Sequence, residues 1–169
     1  MIRDKIQSYY RTERISSLVL AFVGAISSTI GLALYIINKT EMSLGLMLGL
    51  CLVGSYQIIV GLVRLFRSRP RYKNAILDID QNQQYLLKTE YPRIIRKENL
   101  INKMRRIELN SVVISLFVLA ILFFFPKQDY LMGTVAGFCF HAGFLLSFDL
   151  FSQFRIQEYR RQLKKFLKI

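Results

Sequence analysis

Within the long apolar stretches of this chain only two side chains can ionise, His141 and Asp149, and one amide, Gln57, reaches comparable depth. Ionisable groups are costly in a segment apolar enough to enter a bilayer, so each is first read as functional. A histidine there offers a proton-sensitive gate, because its charge changes near neutral pH. Asp149 lies two turns farther along the same helix. No carboxylate occupies the far half of any stretch, so a proton relay would have no entry group. His141 is therefore expected to pack, with Gln57 as its hydrogen-bond partner. Asp149 is expected to anchor helix ends against Arg64, Arg67 or Gln153.

Other chemistries find even fewer residues. A single histidine excludes a conventional zinc site. Cys51 and Cys139 both fall in apolar stretches and read as small packing residues rather than a disulfide. No glycine-rich phosphate loop and no nucleophile with a base is present, so neither an enzyme nor a bound cofactor or metal is expected. The formal net charge is +13. With Tyr72, Tyr85, Tyr91 and Tyr159 available for stacking it invites an RNA reading, but no recognition signature accompanies these residues.

The elements that must position these groups are four apolar stretches, 15–38, 42–63, 109–125 and 130–151. A bilayer core of about 30 Å needs roughly 20 such residues in a helix, so the fold expected is an all-α integral membrane protein with four transmembrane helices. The third stretch is the shortest and is stopped by Pro126. The first, which follows a charged arm, reads as a retained helix rather than a cleaved signal peptide. Of 24 Lys and Arg residues, only Lys39 and Lys127 fall in the two short outer connectors. The positive-inside rule then places both termini, the segment 64–108 and the basic tail 152–169 in the cytoplasm. The chain is one membrane domain, 1–169. This topology accounts for the charge without nucleic acid, which is not expected as a partner.

Shifting the second stretch by 88 positions aligns Gly45 with Gly133, Gly49 with Gly137 and Cys51 with Cys139. The four spans are accordingly expected as two parallel-repeat helical hairpins with cytoplasmic helical extensions. Small residues recur at close-packing intervals, Gly24, Ser28 and Gly31 on the first span, Gly45 and Gly49 on the second, Gly133 and Gly137 on the fourth. Lipid gives helices no hydrophobic reason to associate, so such stripes are expected to pack within the molecule.

In the middle segment, Arg69 before Pro70 is expected to end the second helix, and 74–88 reads as a short amphipathic helix interrupted at 80–84. A third rod starts at Pro92, with Leu100, Met104 and Ile107 as its apolar stripe. The tail pairs Phe151, Phe154, Tyr159, Leu163, Phe166 and Leu167 with cations. These extensions either form a small bundle or lie along the anionic lipids of the inner leaflet. Arg93, Arg96, Lys97, Arg105, Arg106, Arg160, Arg161, Lys164 and Lys165 are the expected cytoplasmic basic surface.

The function expected is therefore non-enzymatic, a small protein of a bacterial inner membrane acting through protein–protein interaction or as a homo-oligomer. In architecture it resembles immunity proteins against membrane-targeted toxins and accessory membrane proteins of phage-defence loci. An oligomeric channel is the second reading, although no helix carries a continuous polar face. A small proton-coupled transporter is the third, with Asp149 as its carboxylate.

Overall fold

The computed structural model describes the backbone of residues 2–81, 83–125 and 128–167, with side chains except at 2, 78–81 and 83–85. The chain forms four helices: α1 (Ile2–Asn38), α2 (Glu41–Gln81), α3 (Gln83–Phe123) and α4 (Asp129–Leu167). At 1.5 Å per residue each is about 55 to 60 Å long. Every one of them is long and apolar enough to cross a membrane, with about 25 Å to spare.

The helices pack in the order α1, α2, α4, α3, and among the described residues α1 and α3 have no close backbone approach. The apolar half is held by glycine. A Cβ at Gly45 would strike the Tyr130 carbonyl, and one at Gly133 would strike that of Met42. Between them Gly49 faces Gly137, an added Cβ on either lying 3.2 Å from the other's Cα. Each of these pairs of equivalents, Met42 with Tyr130, Gly45 with Gly133 and Gly49 with Gly137, is separated by 88 positions. In the same way α1 meets α2 at Gly24 and Gly54, where a Cβ at Gly54 would lie 2.6 Å from the Gly24 carbonyl. Ser28 donates to that same carbonyl at 2.9 Å and Cys51 donates to the Ser28 carbonyl. Gly31 approaches the Met47 backbone. The apolar part of α3 has no such stripe and none of its span window is buried.

The polar half is built on a hydrophobic core instead. Ile6, Tyr9 and Tyr10 of α1, Ala75 of α2, Leu86, Ile94 and Ile101 of α3, and Ile156, Tyr159 and Leu163 of α4 form one buried cluster. The extensions are therefore a bundle, and the tail lies in it.

Three boundaries differ from the sequence expectation. α2 does not end at Arg69, and α3 does not start at Pro92; both helices run through their prolines. Burial outweighs the lost amide bond of about 3 kcal/mol, because Ser68 and Ala75 on either side of Pro70, and Glu90 and Ile94 around Pro92, are all buried. The segment 74–88 is not a separate helix but the paired ends of α2 and α3, and position 82 lies outside the described residues. α3 stops at Phe123, where Phe124 and Phe125 donate three residues back to Ile121 and Leu122. Pro126, the expected stop, also lies outside the described residues.

Candidate functional site

Helical spacing sets one face of α3 inward. Glu90, Ile94, Lys97 and Ile101 recur at four, three and four residues, and Arg93 borders them. Glu90 is 4% exposed. Its Oε1 accepts hydrogen bonds from Tyr10 and Tyr159, both at 3.2 Å, and from Arg93 Nη2 at 2.7 Å. Arg93 Nη2 also donates to the Tyr10 hydroxyl. The Tyr159 ring stacks on Tyr9 at 4.1 Å and 8° between planes, and Tyr9 meets Tyr10 edge to face. A buried carboxylate is expensive unless its lone pairs are filled, and this one is served from three helices.

The electrostatics keep these groups in their roles. Burial, and then the Glu90 charge, push the Tyr10 and Tyr159 hydroxyls above the ordinary phenol range, so both remain donors. Burial pulls the Arg93 guanidinium down, but Glu90, Tyr10 and Tyr9 together outweigh it and the net shift is upward. Lys97 is held below its usual value by burial, against the pull of Glu13, whose Oε1 lies 2.5 Å from its Nζ.

Beside it, where the apolar and polar halves meet, lies a cavity of about 620 Å³. All four helices line it. α1 supplies Glu13, Ser16 and Ser17; α2 supplies Arg64 and Arg71; α4 supplies Phe148, Ser152 and Arg155. From α3 come Arg96, Leu100 and Lys103, together with Arg93 and Lys97. Seven cations thus face one carboxylate. Three of them are engaged: Arg93 with Glu90, Lys97 with Glu13, and Arg155 with Ser16, Ser152 and the Thr12 carbonyl. Burial lowers the Arg155 guanidinium's affinity for its proton. Arg64, Arg71, Arg96 and Lys103 make no ion pair or hydrogen bond among the described residues.

The residues expected from sequence divide between these places. Gln57 and His141 meet across α2 and α4, with Nε2 to Nδ1 at 3.1 Å, both fully buried. Gln57 Oε1 and His141 Nε2 have no hydrogen-bond partner among the described residues. Asp149 is buried on α4 near Arg64 and Glu108. Arg67 is exposed, and Gln153 is taken by Arg105 at 2.5 Å, so neither neutralises Asp149. Glu108 is pushed up to about 7, by burial first and by Asp149 second, against Arg64.

Of the nine cations expected as a basic surface, Arg96, Arg106, Arg161, Lys164 and Lys165 are exposed. The other four turn inward: Arg93 to Glu90, Lys97 to Glu13, Arg105 to Gln153, and Arg160 to Glu98 at 2.8 Å. The apolar stripes also correct the expectation. Leu100, Met104 and Ile107 are 54%, 40% and 50% exposed, and on the tail Phe151, Phe154 and Phe166 are exposed while Ile156 is buried.

Glu90, Tyr10, Glu13, Arg64, Arg71, Lys103 and Arg155 were not picked out from sequence as a site. The available signal was the isolated acid Glu90 on a basic segment, at helical spacing from Arg93 and Lys97. Among the described residues no three His, Cys, Asp or Glu side chains converge as metal ligands. Comparison with protein-family models, with curated proteins and with solved structures finds no match to this chain.

Proposed function

We propose that this chain is a multi-pass protein of a bacterial inner membrane that works as a non-enzymatic binding protein, with its termini and polar half in the cytoplasm. The carrying observation is the division of labour among its cations. Inward cations complete a buried head assembled from all four helices, so the outward ones, Arg96, Arg106, Arg161, Lys164 and Lys165, are not needed to hold the fold. Their remaining use is recognition of an acidic protein surface or of anionic lipid.

The hairpin arrangement fits the same reading. Contacts at Gly45 and Gly133 are related by the 88-residue offset, and Gly49 meets its own equivalent, Gly137. This supports a parallel repeat whose two-fold axis runs along the membrane normal between α2 and α4. The head is then the joint product of two similarly oriented hairpins.

The topology is tested with single-cysteine variants in a background lacking Cys51 and Cys139. A membrane-impermeant thiol reagent applied to intact cells should label a cysteine at Thr40 and leave one at Arg161 untouched. Labelling at Arg161 would invert the orientation. The binding role is tested by crosslinking in cells through positions 161 and 164: a discrete protein adduct supports it, and conductance by purified protein in liposomes would replace it with the channel reading.

A further inference from the structure

The cavity at the junction of the two halves is more specific than a basic surface. We propose that it is a lipid site, binding the headgroup of an anionic phospholipid that carries at least two negative charges, with an acyl chain running back along α3. The proposal rests on the membrane reading above.

Three observations converge on it. First, Arg71, Arg96 and Lys103 line the cavity from two helices without a protein counter-charge, while Arg64 lies beside Asp149 and Glu108 and the one lining carboxylate, Glu13, is already paired with Lys97. Three free cations exceed what a single phosphodiester balances, and they match two phosphates or a phosphomonoester. Second, one edge of the cavity has the right height. Ser16, Arg64 and Ser152 sit within a residue or two of the ends of the apolar stretches, so the cavity opens at headgroup level, while Arg71 and Lys103 lie about 10 Å farther from the hydrocarbon core.

Third, the wall nearest the bilayer is apolar and leads somewhere. Leu100 lines the cavity, and the exposed stripe Leu100, Met104, Ile107 carries on along α3 to Leu109, where the apolar stretch begins. That path is about 13 Å long at the helical rise. Left to water, this stripe would be an exposed apolar strip beside a cationic pocket; an acyl chain covers it and delivers a phosphate to the cations. A free phosphorylated solute would satisfy the charge and leave the stripe bare. Basic pockets between helices at the inner surface are a recognised form of lipid recognition.

The test uses the full chain in nanodiscs of phosphatidylcholine doped with cardiolipin, or with phosphatidylglycerol to the same total charge. Bound lipid is read by native mass spectrometry after release. Cardiolipin should be retained over phosphatidylglycerol by about tenfold, equivalent to about 1.4 kcal/mol. Arg96→Gln with Lys103→Gln should abolish that preference; both side chains are exposed and unpaired, so the fold is spared. Arg161→Gln with Lys164→Gln removes equal charge outside the cavity and should leave the preference intact.

Equal losses in the two double variants would overturn the site in favour of general surface attraction. Tight binding of pyrophosphate in detergent, with no lipid preference in nanodiscs, would overturn the lipid assignment and point to a soluble anion. Protein that fails to enter nanodiscs, or is released from cell membranes by alkaline carbonate, would overturn the membrane reading itself.

Discussion

The two halves of this molecule are built from the same four helices by opposite rules. In the polar half large side chains are inside: Ile6, Tyr10, Leu86, Ile94, Ile156 and Leu163 are each 2% exposed or less. In the apolar half only Leu20 and Leu50 are large and buried among the described residues; the other buried groups are small or polar, Gly45, Gly49, Gly133, Gly137, Ser27, Gln57 and His141 among them, while Phe117, Phe123 and Phe140 stand outward at 67%, 78% and 65%. Burial of apolar area can drive the first half, because water rewards it. On the membrane reading proposed above the apolar half lies in lipid, where that reward vanishes and close backbone contact with a few hydrogen bonds must substitute. The change of rule falls at the cavity, near Arg64, Lys103 and Ser152. Cations such as Arg71, Arg96 and Lys103, with no partner among the described residues, accumulate where neither rule applies cleanly.

The harshest way to break the comparison is to spoil the polar core. Glu90→Ala removes the acceptor for Tyr10, Tyr159 and Arg93 and leaves a part-buried guanidinium without its counter-charge, a loss of about 3 kcal/mol. Thermal unfolding in detergent should show a large fall in midpoint, and limited proteolysis should cut within the polar half first. Glu90→Gln keeps an acceptor and should fall between. An unchanged midpoint for Glu90→Ala would mean that the network contributes nothing to the head.

Next in size is the glycine crossing. Gly133→Val puts a branched side chain against the Met42 carbonyl and Leu46 amide, backbone groups that cannot move aside. Separation of α2 from α4 should cost about 1 to 3 kcal/mol. Gly143→Val is the internal control, since no atom lies within 4 Å of a Cβ there. Comparable destabilisation by both variants would sink the claim that close approach holds the apolar half.

At the boundary, Glu108 gives a pH test. Its folded value near 7 lies above the ordinary 4.5, so the protonated form is the one the fold prefers. Its contribution is fully present below about 4.5 and is lost as pH rises through about 7. Stability should therefore decline between pH 5 and pH 8, and Glu108→Gln should flatten that part of the profile. Asp149 and Arg64, which face it from α4 and α2, stay in place in that variant. A wild-type slope retained by Glu108→Gln would assign the pH dependence elsewhere.

What the sequence made legible follows the same division. Charge-free runs of about 20 residues mark the apolar half directly, and the 88-residue offset points to the glycines that meet. The polar half was harder. On α3 two apolar faces compete, Leu100, Met104 and Ile107 against Ile94 and Ile101, and spacing alone favours neither. Tyr9, Tyr10 and Tyr159 decide it, and they lie about 60 to 90 positions away in the chain. The same distant packing carries the helices through Pro70 and Pro92, against the local preference of both residues. Four of the nine surface cations were misplaced for a related reason: a side chain long enough to reach solvent is also long enough to reach Glu90, Glu13, Gln153 or Glu98.

The smallest effects are expected at the far turn of the apolar half between α1 and α2, where the chain has only two residues, Lys39 and Thr40, in which to reverse. Lys39 holds φ at 48°, a left-handed conformation that costs a residue with a Cβ roughly 1 kcal/mol. Thr40 then caps α2: its Oγ1 accepts from the Ser43 amide at 3.2 Å, and Ser43 Oγ accepts from the Thr40 amide at 3.0 Å. This reciprocal pair satisfies two backbone donors that would otherwise be orphaned at the helix start. Thr40→Ala should destabilise by about 1 kcal/mol. Lys39→Gly should recover part of the strain, offset by a more flexible unfolded chain, so its net gain stays below about 1 kcal/mol. Opposite signs from neighbouring positions are the diagnostic outcome in thermal unfolding. If both substitutions destabilised equally, the turn would be held by Lys39 at the lipid surface rather than by its own backbone geometry, and the apolar half would owe part of its order to the bilayer interface.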